Sequence, residues 1–194
     1  MPIAAGTMRS RPRTAQREGA PETSWVGLVA DARDGDRAAF GELHGLFSRM
    51  VHAVLLATIP REDAFDLVQD VFLQAMQKLG SLRDDASFGS WLCQIARNRA
   101  ADFHRNRPPT EELPEKLAAP DAPPPPTAEA SRALEAIRAL PEAYRETLLM
   151  RLVEGMTGPE ISERTGLTPG SVRVNLHRGM KLLREKLNLD VGHE

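Results

Sequence analysis

The residues best suited to chemistry lie near the C-terminus, where Ser171, Val174, His177, Arg178 and Lys181 recur at helical spacing, flanked by Arg173 and Arg184. At about 100° per residue they fall opposite an apolar side made of Val172, Leu176, Gly179, Met180, Leu183 and Leu187. Arginine and lysine on such a face donate to guanine edges or phosphates in the major groove, and the first amides of the helix can hold a phosphate. The plainer alternative is a solvated basic face. Metal chemistry has less support: among His44, His52, His104, His177, His193 and Cys93 no pair sits at ligand spacing within a set of three or more. No metal, cofactor or enzymatic activity is expected.

The elements that position the basic face are legible nearby. Thr157-Gly158-Pro159-Glu160 forms a capping box, which predicts a helix running to about Thr165. Gly166 supplies a left-handed stop, and Thr168-Pro169 opens a longer helix lasting to about Leu187. Short helix, glycine turn and longer helix make a helix-turn-helix.

The whole chain has 194 residues, a formal net charge of −2 and 5% aromatic residues, which predicts two small domains built of helices rather than sheet. Its single cysteine excludes an internal disulfide and suits a reducing cytoplasm. No stretch approaches the ~18 apolar residues needed to span a bilayer.

Upstream, Phe40, Leu43, Phe47, Met50, Val54 and Leu55 follow the turn Asp34-Gly35-Asp36 and predict an amphipathic helix ending near Pro60. A second helix places Leu67, Val68, Val71, Phe72, Ala75, Met76 and Leu79 on one side, with Asp63, Asp66, Gln69, Asp70 and Gln74 on the other and Gly80 as its stop. A third has Phe88, Trp91, Leu92, Ile95, Ala96 and Phe103 as its apolar stripe and ends before Pro108-Pro109. The predicted organisation is an arm at 1–24 carrying Arg9, Arg11, Arg13 and Arg17, a bundle at 25–107 and a proline-rich linker at 108–128. A four-helix domain at 129–189 and a tail at 190–194 complete it.

The stretch LPEAYRETLLMRLVEGMTGPEISERTGLTPGSVRVNLHRGMKLLREKL resembles the fourth conserved region of sigma-seventy family factors. DAFDLVQDVFLQAMQKL followed by FGSWLCQIARNRAADFHR resembles their second region. With no third domain between them, the resemblance is to the extracytoplasmic-function (ECF) group of RNA polymerase sigma factors.

That resemblance implies an all-α, two-domain, non-enzymatic factor that binds core RNA polymerase, melts promoter DNA and starts transcription in the cytoplasm, under control of an anti-sigma factor. It implies polymerase binding by Asp63, Asp66, Gln69 and Asp70, a set otherwise read as a solvated face. It places the unpaired minus-ten strand near Arg97, Asn98, Arg99, Arg105 and Arg107, and the minus-thirty-five element near Ser171, Arg173, Val174, His177, Arg178 and Lys181. Phe88 and Trp91 are expected to pack in the core rather than stack on a base. The rival readings are a stand-alone helix-turn-helix regulator, which leaves the first domain without a role, and a scaffold that binds only protein.

Overall fold

Several helix starts in this chain are set by local capping. In the computed structural model, which describes residues 25–106 and 127–191, the Asp36 carboxylate accepts from the amides of Ala38 (2.8 Å) and Ala39 (3.2 Å). That cap follows Gly35, at φ 99°, and opens α2 (Arg37–Leu56). The turn joins α2 to α1 (Trp25–Arg33), a helix that the periodicity of the sequence does not single out. Leu28 and Val29 of α1 are buried, and Trp25 lies edge-to-face on Phe47 with ring centroids 5.4 Å apart.

α3 (Arg61–Lys78) begins behind Pro60, with Glu62 and Asp63 in its first turn where the helix dipole favours carboxylates. Gly80 is not its left-handed stop; the chain instead tightens into a 3-10 turn, Leu79–Ser81, in which the Ser81 hydroxyl donates to the Lys78 carbonyl at 2.6 Å. A second such turn, Asp85–Ser87, is capped by Asp84 and leads into α4 (Phe88–Asn106). Phe88 is fully buried, 5.1 Å from Phe47 in an edge-to-face pair, while Trp91 is half-buried beside it.

The second part of the described chain comprises α5 (Ala128–Arg138), α6 (Glu142–Leu152), α7 (Gly158–Thr165) and α8 (Pro169–Val191). The expected capping box is present: the Thr157 amide and hydroxyl donate to Glu160 at 2.7 and 2.8 Å, and the Glu160 amide donates to the Thr157 hydroxyl at 3.3 Å. The amide of Thr157, then its hydroxyl, holds the Glu160 carboxyl below its ordinary value. The cap therefore persists at neutral pH and is lost only as pH falls through that lowered value. Gly166 closes α7 at φ 77°. Alanine there keeps ordinary contact with Ser90 but adopts a left-handed backbone, so Gly166→Ala is expected to destabilise the chain by about 1–2 kcal/mol, read from urea unfolding.

α2 is the central element, with α1, α3, α4, α6 and α7 packed around it. Every residue from Met50 to Ala57 is buried, so the amphipathic pattern of its first half gives way to burial on all sides. Region 25–106 alone does not supply that cover. The α5 and α6 arginines also reach its C-terminal end: Arg138 donates to the carbonyls of Leu56 (3.1 Å) and Ile59 (2.6 Å), and Arg145 to that of Ala57 (3.4 Å). These cations satisfy carbonyls that a helix end leaves without partners. The arm, Arg107 and residues 108–126 lie outside the described residues, while the last two positions of the expected linker are the cap and first residue of α5, Thr127 and Ala128.

Candidate polymerase and nucleic-acid interfaces

α8 divides as its periodicity predicts. Val172 and Leu183 are buried, and Gly179 sits so close to α6 that an added Cβ would lie 3.0 Å from the Leu148 side chain. The opposite side exposes Ser171, Arg173, Val174, His177, Arg178 and Lys181. Thr168 fixes the start of this face, accepting from the Ser171 amide at 3.1 Å and sharing a hydrogen bond with its hydroxyl at 2.9 Å. Ser171 is thus partly committed to the cap, whereas the basic residues project from the exposed side of the helix.

α3 presents a face of different chemistry. Asp66 and Gln69 are exposed and Asp70 is half-buried, but Asp63 is buried at the start of the helix, which removes it from the outward set. Met76, expected on the buried side, is 50% exposed, and Phe65 and Leu73 are exposed with it. At about 100° per residue, Phe65, Met76, Gln69, Leu73, Asp66 and Asp70 share one arc of roughly 140°. Apolar anchors set among carboxylates suit a protein partner better than a merely solvated face does. Charge pattern alone points to the carboxylates; the apolar members are legible only as breaks in the expected stripe.

α4 separates the residues expected near the minus-ten strand. Asn98 and Arg105 lie on its exposed side, Asn98 accepting from Gln94 at 3.0 Å and Arg105 paired with Asp102. Arg99 turns toward α3 and donates to Asp70 at 2.6 Å. Arg97 turns the other way, toward α6, where Nε and Nη2 donate to the two oxygens of Glu146 at 2.9 and 2.7 Å, with Glu142 at 3.5 Å. Hydrogen bonding to Glu146 strengthens the hold of Arg97 on its proton. Arg97 and Arg99 are therefore engaged within the chain rather than turned outward together.

These faces lie inside two recognised segments. Family models for Sigma-70 region 2 and Sigma-70, region 4 match residues 43–108 and 130–183. The ECF RNA polymerase sigma factor SigD of Mycobacterium tuberculosis is 33% identical over 174 residues, covering 82% of this chain and 82% of that protein. The chain belongs to the extracytoplasmic-function group of sigma-70 family sigma factors. The sigma factor is also 36% identical over 169 residues to the probable RNA polymerase sigma factor RfaY of Xanthomonas campestris, covering 80% of this chain but 42% of that longer protein. Among solved structures it resembles CnrH in complex with the cytosolic domain of CnrY, with a TM-score of 0.57, 27% identity, and coverage of 86% of this chain and 99% of that one.

In this sigma factor the region 2 match runs from within α2 through α4, and the region 4 match reaches from α5 into the exposed face of α8. Cys93 sits at the border of the two, 2% exposed, its thiol donating to the Met50 sulfur at 3.6 Å. Burial, with the nearby Glu146 charge adding to it, pushes the thiol pKa up to about 12. A thiol so placed is inert filler between helices rather than a reactive group. Among the described residues no three His, Cys, Asp or Glu side chains gather as a cation site, and no helix is long and apolar enough to cross a membrane.

Proposed function

We propose that this sigma factor docks on core RNA polymerase through the exposed face of α3, reads the minus-thirty-five element with α8 and captures the minus-ten strand along α4. It performs no chemistry of its own: it binds, positions and helps to open DNA in the cytoplasm, where the polymerase works. The observation that carries this reading is the presence, in one chain, of two exposed helix faces of opposite character, each inside a sigma-family match. The mixed acidic and apolar face of α3 suits a protein, and the basic face of α8 suits a duplex. CnrH is bound by the cytosolic domain of CnrY. For this chain we carry over a protein regulator, an anti-sigma factor.

Within this division of labour, Asp66 and Gln69 with Phe65, Leu73 and Met76 contact polymerase, and Asp70 contributes once Arg99 is displaced. Asn98 and Arg105 are the α4 residues poised for the strand, with Arg97, Arg99 and Arg107 at phosphates. Arg173, Val174, His177, Arg178 and Lys181 face the duplex, Val174 offering an apolar contact to a thymine methyl. The reading is tested by combining purified protein, core RNA polymerase and a genomic promoter library, and sequencing the transcripts. Start sites sharing two spaced upstream elements are expected; a folded protein that neither binds polymerase nor initiates would overturn the reading in favour of a stand-alone regulator.

Asp66→Arg is the sharper check on the polymerase face. The exposed carboxylate has no role in the core, so the variant is expected to fold normally and to bind core polymerase about tenfold more weakly. Fluorescence anisotropy with labelled sigma factor measures this. Unchanged affinity would take α3 out of the interface.

A further inference from the structure

The run from Met50 to Ala57 on α2 is buried along its whole length, and His52 is its one polar side chain. The imidazole meets two groups. Nδ1 lies 2.5 Å from a carboxylate oxygen of Glu154, just past the end of α6, and the ring stacks on that of Phe65, with centroids 4.3 Å apart and 26° between the planes. Nε2 is buried and has no hydrogen-bond partner among the described residues. An unpaired nitrogen in such a place is unfavourable, and leucine or valine would fill the same run without it. What the imidazole adds is a flat face at a fixed angle, its plane set by the bond to Glu154 on one edge.

Phe65 is the outer member of this stack. It lies 47% exposed on α3, on one arc with Asp66, Gln69, Leu73 and Met76. A phenylalanine on an open helix surface moves among rotamers, and an interface that receives it must order it; a ring already held in one rotamer is spared that loss. Contact with buried His52 supplies the hold from within the chain. We propose that His52 is a positioning residue for the polymerase interface: its imidazole is the platform that keeps the Phe65 ring in the orientation core polymerase receives. This rests on the assignment of the α3 face to polymerase made above. His52 itself is too deeply buried to touch the partner, so its effect runs through Phe65.

His52→Asn isolates the platform. The asparagine amide occupies the place of Nδ1 and can still donate to Glu154, but it offers no ring for Phe65 to lie on. Binding of the labelled full-length chain to core polymerase is measured by fluorescence anisotropy for wild type, His52→Asn, Phe65→Ala and the double variant. His52→Asn is expected to weaken binding about fivefold, within the range that freeing the rotamers of one side chain allows. In the Phe65→Ala background the same change is expected to alter binding by less than about twofold, because no ring remains to be held. A purely structural role, such as loosening α2 or its contact with Glu154, would weaken binding alike in both backgrounds.

Circular dichroism reports whether His52→Asn keeps its helices. If it does not, His52→Leu, an apolar filler with no planar face, takes its place in the same cycle with the same expectation. Equal weakening in both backgrounds, or no weakening in either, would overturn the proposal while leaving α3 as the polymerase face. Phe65→Ala binding as tightly as wild type would remove Phe65 from the interface, and the role of His52 with it. A folded wild-type chain that does not bind core polymerase would instead overturn the assignment of α3 on which the proposal stands.

Discussion

Changing both Arg173 and Arg178 to alanine is expected to reduce promoter-dependent initiation by a factor of roughly 30 to 25,000, corresponding to ~1–3 kcal/mol for each arginine that reads a base. Both side chains are exposed on α8, and neither is engaged by another described residue. They lie on either side of Val174 and His177, so one duplex groove can receive all four. Because neither supports the fold, thermal unfolding should shift by no more than ~0.5 kcal/mol equivalent, and core polymerase binding should be unaffected. Run-off transcription on a promoter recovered from the library measures the loss. A double variant that initiates as well as wild type would place promoter reading elsewhere in the chain.

The largest loss of stability is expected at Phe47. Its ring is completely buried in α2, edge-to-face with Phe88 of α4 at 5.1 Å and with Trp25 of α1 at 5.4 Å. Phe47→Ala removes both aromatic partners and leaves a void that three helices would have to collapse to fill. The cost should be about 3–5 kcal/mol. For a chain of this length that corresponds to a fall in Tm of roughly 6–20 °C. Differential scanning calorimetry provides the value, and Trp25 fluorescence should redden as its packing partner disappears. A fall of less than ~3 °C would mean that α1 and α4 do not meet through this ring.

The features legible in the sequence are those whose causes lie within a few residues. The Thr157–Glu160 box, the Gly166 stop and the two sides of α8 depend on capping, a permitted left-handed angle and helical period, all of which are written locally. α1 escapes such a reading because Trp25, Leu28, Val29 and Ala32 occupy only two turns, too short a pattern to stand out beside the adjacent arm. Met76 falls on the wrong side because a methionine satisfies an apolar period whether or not it is covered; its exposure shows only when the neighbouring helices are present.

The site residues are harder to read for a related reason. Arg97, Asn98 and Arg99 are neighbours in sequence and look like one basic cluster, yet the helix turns Arg97 to Glu146 and Arg99 to Asp70. Those partners are 49 and 29 residues away, and nothing in the spacing of charges announces them. The burial of α2 on all sides is the one available hint. The run from Met50 to Ala57 contains no residue that prefers water strongly except His52, which is more apolar circumference than the first three helices can cover.

A wall shared between two rooms cannot be removed for one of them alone. Since α2 is packed by region 2 helices and by α6 and α7, unfolding either half of the closed chain strips cover from the same helix. The closed chain should therefore melt as one cooperative unit, and each half lends its free energy to the other. A substitution that removed Arg138 and Arg145 would leave the carbonyls of Leu56, Ala57 and Ile59 without these partners and loosen the coupling of the two halves.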